Sequence, residues 1–239
     1  MESNIFDSQF YKRLYTVGAV ASLLQLAIIG LYIVITMIYG PRITNAEEFF
    51  IYQKSHSWSI LLRVDLLLLI LVGLYLGNFP ALLVALWRKN PITTLFAFSF
   101  TIIAVVLSFA GESTFALKHL GELYNSATSE LERTQIIASG EAILASGWWN
   151  STGSYMTGIL LQGGGVLISV VMFKSVSFSK VTSVAGLIGN GFDLLQHLLS
   201  PFAPQISEYL SFVMVAYLIW YPMMSRDLYR LAKNQSIRN

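Results

Sequence analysis

The sequence predicts an all-α fold, a polytopic membrane bundle of six transmembrane helices built as a single domain over residues 1–239. Three observations predict it. Hydrophobic residues make up 55% of the chain and charged residues only 12%, whereas about 25% of a soluble domain is charged. Mean hydropathy is +0.62. Long apolar runs recur along the whole chain, and about 20 helical residues cross a hydrocarbon core of roughly 30 Å. The chain has no cysteine, which excludes disulfides, thiolate metal centres and cysteine nucleophiles.

The first span, 14–39, follows Lys12 and Arg13 and stops at Gly40-Pro41. It is longer than the roughly 7–15 apolar residues of a signal peptide, so it reads as a retained helix. A polar stretch with Glu47, Glu48 and Lys54 leads to the second span, 59–87, closed by Arg88 and Lys89. Gly77-Asn78-Phe79-Pro80 interrupts this span, because proline lacks the N–H that the helix needs there, and the expected result is a kink. The third span, 92–112, starts after Asn90-Pro91, where proline suits a first helical turn. Residues 119–150 turn polar; Ile136, Ile137, Ile143 and Leu144 give them an amphipathic pattern expected to lie on the membrane surface outside. Spans four to six follow at 152–173, 181–199 and 206–224, before a tail with Arg226, Arg230, Lys233 and Arg238. Gln162-Gly163-Gly164-Gly165 and Gly186, Gly189 and Gly191 offer flat faces for close helix approach.

Basic residues set the orientation, since lysine and arginine are retained in cytoplasmic loops. With the N-terminus inside, Lys12, Arg13, Arg88, Lys89, Lys174, Lys180, Arg226, Arg230, Lys233 and Arg238 are inside, ten residues. Arg42, Lys54, Lys118 and Arg133 are outside, four residues. Both termini are therefore expected in the cytoplasm, with the chain multi-pass in the cell membrane. The formal charge is only +2, and its basic residues mark loop ends, so membrane lipids are expected partners and nucleic acid is not.

Ionisable residues inside apolar helices are where function is sought, since each costs at least about 2.5 kcal/mol at the centre of an isolated helix. Asp193 and His197 lie four apart on one face of span five, with Asn190 one turn below. Arg63, Asp65, Glu112 and Glu208 fall at the outward ends of other spans. Together these seven are the candidate lining of an outward-facing polar pocket for a small ligand, ion or lipid headgroup. A structural reading stands beside it, in which Asp193 and His197 simply pair to fix packing. A third makes His56, His119 and His197 metal ligands of a membrane hydrolase, although no HExxH spacing is present. Gly111-Glu112-Ser113-Thr114-Phe115 lacks the second glycine of a nucleophile elbow. No cofactor is specified.

Leu123-Tyr124-Asn125-Ser126-Ala127-Thr128, then Glu132-Arg133 and Gly140-Glu141-Ala142-Ile143-Leu144-Ala145, follow the order of an external segment found in one family. Leu160 to Ser175, the turn Ser177-Phe178-Ser179-Lys180 and Gly186-Leu187-Ile188-Gly189 extend the match. From Leu61 onward the chain resembles the uncharacterised prokaryotic membrane proteins of domain-of-unknown-function family 4386. The resemblance implies a six-helix fold and carries no activity with it. The function expected is non-enzymatic: ligand or lipid binding in the pocket, or service as a subunit with a membrane-protein partner or a second copy. A metal-dependent hydrolase or small transporter is the alternative.

Overall fold

The computed structural model describes residues 8–40, 43–56, 60–61, 66–111, 113–146, 151–203, 205–206, 210 and 214–236. Its helices are α1 Ser8–Tyr39, α2 Ala46–Ser55, α3 Leu67–Gly73, α4 Tyr75–Leu86, α5 Pro91–Gly111, α6 Thr114–Ser126, α7 Glu130–Ala145, α8 Thr152–Phe173, α9 Lys180–Leu199 and α10 Met214–Ser236. No strand occurs among the described residues, so the all-α expectation holds. Four stretches are long and apolar enough to cross a membrane: Ser8–Tyr39, Leu67–Leu86, Pro91–Ser126 and Thr152–Phe173.

The helices fall into two compact units. One comprises residues 1–27, 73–106 and 156–239, the other 28–72 and 107–155. Within the first, α1 and α4 meet through small residues. A Cβ on Gly18 would stand 2.6 Å from that of Ala81, and one on Gly77 2.8 Å from that of Ala21. Buried Asn78 donates to Gln25 at 2.6 Å across this contact. The interruption expected in the second span is present but earlier. Its irregular turn is at Leu74, whose carbonyl accepts from Gly77 N at 2.9 Å, one residue short of an α-helical bond. Pro80 stays inside α4. Proline N–H loss acts on the carbonyl four residues before it, that of Leu76, which lies inside α4 two residues past the irregular turn.

In the second unit α2, α6 and α7 pack on one another. Their core is Phe49 and Phe50 of α2, Leu117 of α6 and Ile136 of α7, with Ile43, Ile60 and Leu61. Local signals start the helices. Asn45 accepts from Glu48 N at 2.9 Å to cap α2, and Ser129 accepts from Glu132 N at 3.2 Å to cap α7. Glu141 of α7 reaches across to take Ala46 N at 2.7 Å, so two acceptors neutralise the N-terminus of α2.

The amphipathic pattern at Ile136, Ile137, Ile143 and Leu144 falls on one helix, α7. The described residues 119–146 belong to α6, α7 and their connection, and Ile136, Ile137, Ile143 and Leu144 turn onto the protein core. A partner helix, α2, supplies the apolar surface that the pattern alone assigned to lipid. A Cβ at Gly140 would stand 2.6 Å from Phe50 Cζ and 2.9 Å from Ala46 Cβ, so only glycine lets α7 lie this close to α2. Gly140→Val is expected to loosen this unit by about 1–3 kcal/mol, the penalty of overpacking. Hydrogen exchange of the α2 and α7 amides measures it, and unchanged protection contradicts the packing described.

Candidate functional site

The site lies within the first unit and rests on how α8 and α9 approach. A Cβ at Gly165 would collide with the Asn190 amide, one at Gly158 with the His197 ring, and one at Gly186 with Ser169 Oγ. Asn190 and His197 are seven apart on α9, and the glycines that receive them are seven apart on α8 in the opposite direction. The two helices are therefore antiparallel, with polar side chains of one seated in glycine notches of the other. Asp193 lies between the two seated residues on α9, level with Gln162 on α8.

Among the described residues the Asp193 side chain has two partners. His197 Nδ1 stands 3.3 Å from its Oδ1 and 2.9 Å from its backbone oxygen, so the ring donates from Nδ1 toward both. From α10, the Tyr217 hydroxyl donates to Asp193 Oδ2 at 2.8 Å. The same phenol oxygen is 2.9 Å from Gln162 Oε1. A tyrosine carries one hydroxyl proton, and it can serve one of these acceptors. The second oxygen–oxygen approach is attractive only with the Gln162 amide turned to donate, or with positive charge shared between the oxygens.

The surroundings are aromatic. Tyr217 stacks on Tyr221 with ring centres 5.7 Å apart, Trp220 lies 5.9 Å from Tyr217, and Tyr221 hydrogen-bonds Tyr75 of α4 hydroxyl to hydroxyl at 2.7 Å. Tyr75 and Tyr221 are both within electrostatic reach of Asp193. The carboxylate is nevertheless not sealed: the side chains of Asp193 and His197 keep 21% and 13% of their exposure. A carboxylate, an imidazole, a phenol and an amide thus come together at a partly exposed point.

Of the residues chosen from sequence, Asp193 and His197 come together as the spacing implied. Asn190 is one turn away but fully buried, its amide donating to Gly186 O at 2.8 Å and its other end closed by Gly165. It holds the helices together and does not line the opening. Arg63, Asp65, Glu112 and Glu208 lie outside the described residues. No group of three or more His, Asp or Glu able to hold a metal exists among the described residues. His56 stacks on Tyr52 with ring centres 4.4 Å apart and meets Ser55 Oγ at 2.8 Å, and His119 is exposed on α6. His197 also presents its Nε2 edge to Gly158, close against helix backbone.

Three contributors went unnoticed in the sequence. Gln162 sits among glycines, and Tyr217 looks like any aromatic of an apolar run. Asp227 hides in the basic tail, although Tyr217, Trp220, Met224 and Leu228 mark the buried face of α10 and Asp227 falls on it. Its Oδ2 accepts from Ser179 N at 2.8 Å and Thr182 Oγ1 at 2.6 Å, while Arg230 stands 3.6 Å from Oδ1 and donates to Ser177 O at 2.7 Å. Asp227 therefore fastens the start of α9 to α10. No family model, curated protein or solved structure matches the chain.

Two outcomes test this geometry. Gly158→Ala is expected to destabilise the protein by about 1–3 kcal/mol through overpacking on His197. Gly153→Ala, with nothing within 4 Å of its Cβ, is expected to be neutral or stabilising in the same thermal unfolding assay. Asp227→Ala is expected to lose roughly 1–3 kcal/mol for each buried donor left without an acceptor, read as a lowered unfolding midpoint. Equal midpoints for both glycine variants, or an unchanged one for Asp227→Ala, contradict the contacts described.

Proposed function

We propose that the chain is a six-span integral membrane protein of family 4386, with both termini cytoplasmic, that binds a small polar ligand at Asp193, His197, Tyr217 and Gln162. The observation that carries the binding role is the carboxylate of Asp193. It sits inside a helix group, is engaged on one side by an imidazole and on the other by a phenol, and still keeps partial exposure. Ionisable groups held at that expense inside membrane helices serve binding or transport more often than packing alone.

The six-span count draws support from α9, although it is not one of the four most apolar stretches. Its 20 residues extend roughly 30 Å at about 1.5 Å per residue. Val181, Val184, Ile188, Phe192, Leu195 and Leu198 form one exposed apolar stripe along it, while Thr182, Ser183 and Asn190 are buried on the other side. A helix that is apolar outside and polar inside suits lipid around it and protein beside it. On α10, Val215, Leu218 and Ile219 are exposed in the same way. The distribution of ten basic residues against four supports the orientation, with the membrane's lipids as partners.

A panel of ions, amines, amino acids, sugars and lipid-headgroup analogues, applied to the purified full chain in a thermal unfolding assay, tests the reading. At least one compound is expected to raise the midpoint by about 2–4 °C for each 1 kcal/mol of binding, and to do so in the wild type but not in Asp193→Asn. If every compound acts equally on both proteins, Asp193 is not a binding residue.

A further inference from the structure

Basic side chains gather at one corner of the first unit, away from Asp193, and we infer that this corner binds an anionic phospholipid, its headgroup against Lys12, Arg13, Arg88, Lys89 and Lys233. The inference rests on the membrane reading proposed above and is independent of the ligand at Asp193. Three helices fix the corner. A Cβ at Gly18 of α1 would stand 2.6 Å from Ala81 Cβ of α4 and 3.1 Å from Leu228 Cδ1 of α10. Gly18 faces Ala81 while Ala21 faces Gly77, so α1 and α4 run antiparallel. Tyr75 meets Tyr221, and Ala81 and Leu228 both meet Gly18, so α4 and α10 run parallel. The start of α1 and the ends of α4 and α10 therefore leave the junction on the same side. The basic residues lie five to eight positions beyond it along their helices, roughly 8–12 Å at about 1.5 Å per residue. All of them are exposed, and Arg88 is within electrostatic reach of the Tyr15 hydroxyl of α1.

Charge compensation sets this corner apart from its surroundings. Arg230 stands 3.6 Å from Asp227 and donates to Ser177 O, and Lys180 donates to Phe173 O from above the Phe173 ring. Those cations have acceptors supplied by the protein. Among the described residues no acidic side chain pairs with Lys12, Arg13, Arg88, Lys89 or Lys233. Gathered like charges repel, and a phosphate placed among them turns that repulsion into attraction. What distinguishes a lipid from a soluble phosphate is the apolar surface below the charge. Phe10, Arg13, Val17, Val20 and Leu24 recur at three and four positions along α1, hence on one face, and the four apolar ones are exposed. From Arg13 to Leu24 this stripe extends roughly 16 Å, about half of a 30 Å hydrocarbon core and so the depth of one leaflet. Trp87, exposed beside Arg88, is an aromatic of the kind that sits at headgroup level. Basic clusters at the ends of membrane helices attract acidic headgroups in this way.

The test places the purified full chain in bilayers of phosphatidylcholine alone or mixed with phosphatidylglycerol and reads the thermal unfolding midpoint, while native mass spectrometry from detergent counts retained lipid. Phosphatidylglycerol is expected to raise the midpoint and to be retained in preference to phosphatidylcholine, with a gain that shrinks as salt rises; this comparison needs no variant. Joint Arg13→Gln and Arg88→Gln substitution is expected to weaken retention of phosphatidylglycerol by about 25-fold, roughly fivefold for each charge. The charge-matched pair Lys54→Gln and Lys118→Gln in the second unit is expected to leave it unchanged, as is Asp193→Asn. An equal loss in the charge-matched pair overturns the corner as the site. The same midpoint gain from inorganic phosphate overturns the lipid in favour of a soluble anion. Equal midpoints and equal retention for the two lipids overturn the inference while leaving the membrane reading intact. A chain that alkaline carbonate strips from vesicles of both compositions overturns the membrane reading itself.

Discussion

The close antiparallel approach of α8 and α9, permitted by glycine, is the contact on which the rest of the first unit depends. Gly158 and Gly165 have no side chain of their own to offer, yet each receives a polar one from the neighbouring helix. Without a hydrophobic drive between helices in lipid, association relies on close van der Waals contact and interhelical hydrogen bonds, and a notch that seats a polar side chain supplies both. Seating Asn190 and His197 fixes rotation and register together. Asp193 is then carried to the level of Gln162, and its remaining side is presented to Tyr217 on α10. Further along α9, Asp227 holds the helix start against α10 through Ser179 and Thr182. The α9–α10 pair is thus fastened at two levels, and the position of the carboxylate follows from packing as much as from its own bonds.

How much of this was legible in the sequence depended on whether the signal was local. Helix starts were: Pro91 after Asn90 opens α5, and the end of α8 at Phe173 coincides with the limit read from hydropathy. The Asp193–His197 pair was legible because it lies on one helix at a spacing of four. Glycines as sites of close approach were legible as a class, while the identity of what fills them was not, since that depends on the register of two helices. Tyr217 and Gln162 escaped for the same reason. A tyrosine near an apolar run reads as an interfacial aromatic until a carboxylate from another helix is placed against its hydroxyl. Asp227 is different, because periodicity alone puts it with Met224 and Leu228. The misleading feature was the row of basic residues around it, which suggests a solvated tail.

The second unit carries the complementary lesson. Amphipathicity states that one face of a helix must be covered and is silent about what covers it. For α7 the cover is α2 and α6, and the sequence did contain the means of recognising this. Phe49 and Phe50 give α2 more apolar bulk than a short polar linker needs, and Gly140 interrupts α7 where a large side chain would otherwise be expected. Glu141, Asn45 and Ser129 then act as caps, so this unit is built with the devices of water-soluble helix packing even though it sits between apolar stretches of the chain.

The two carboxylates of the first unit, Asp227 and Asp193, are held in different ways. Asp227 is 1% exposed. It accepts from a backbone N–H and a hydroxyl, has a guanidinium at its other oxygen and sits at a helix start whose dipole favours negative charge. Its charge is compensated from every direction, and nothing is left to attract a ligand. Asp193 has an imidazole and one phenol proton, the latter contested by Gln162, and lies in the middle of a helix where no terminus helps it. A carboxylate kept solely for packing would gain from the arrangement Asp227 enjoys. Asp193 is held instead by the notches on either side of it, with one imidazole and one phenol at its carboxylate among the described residues.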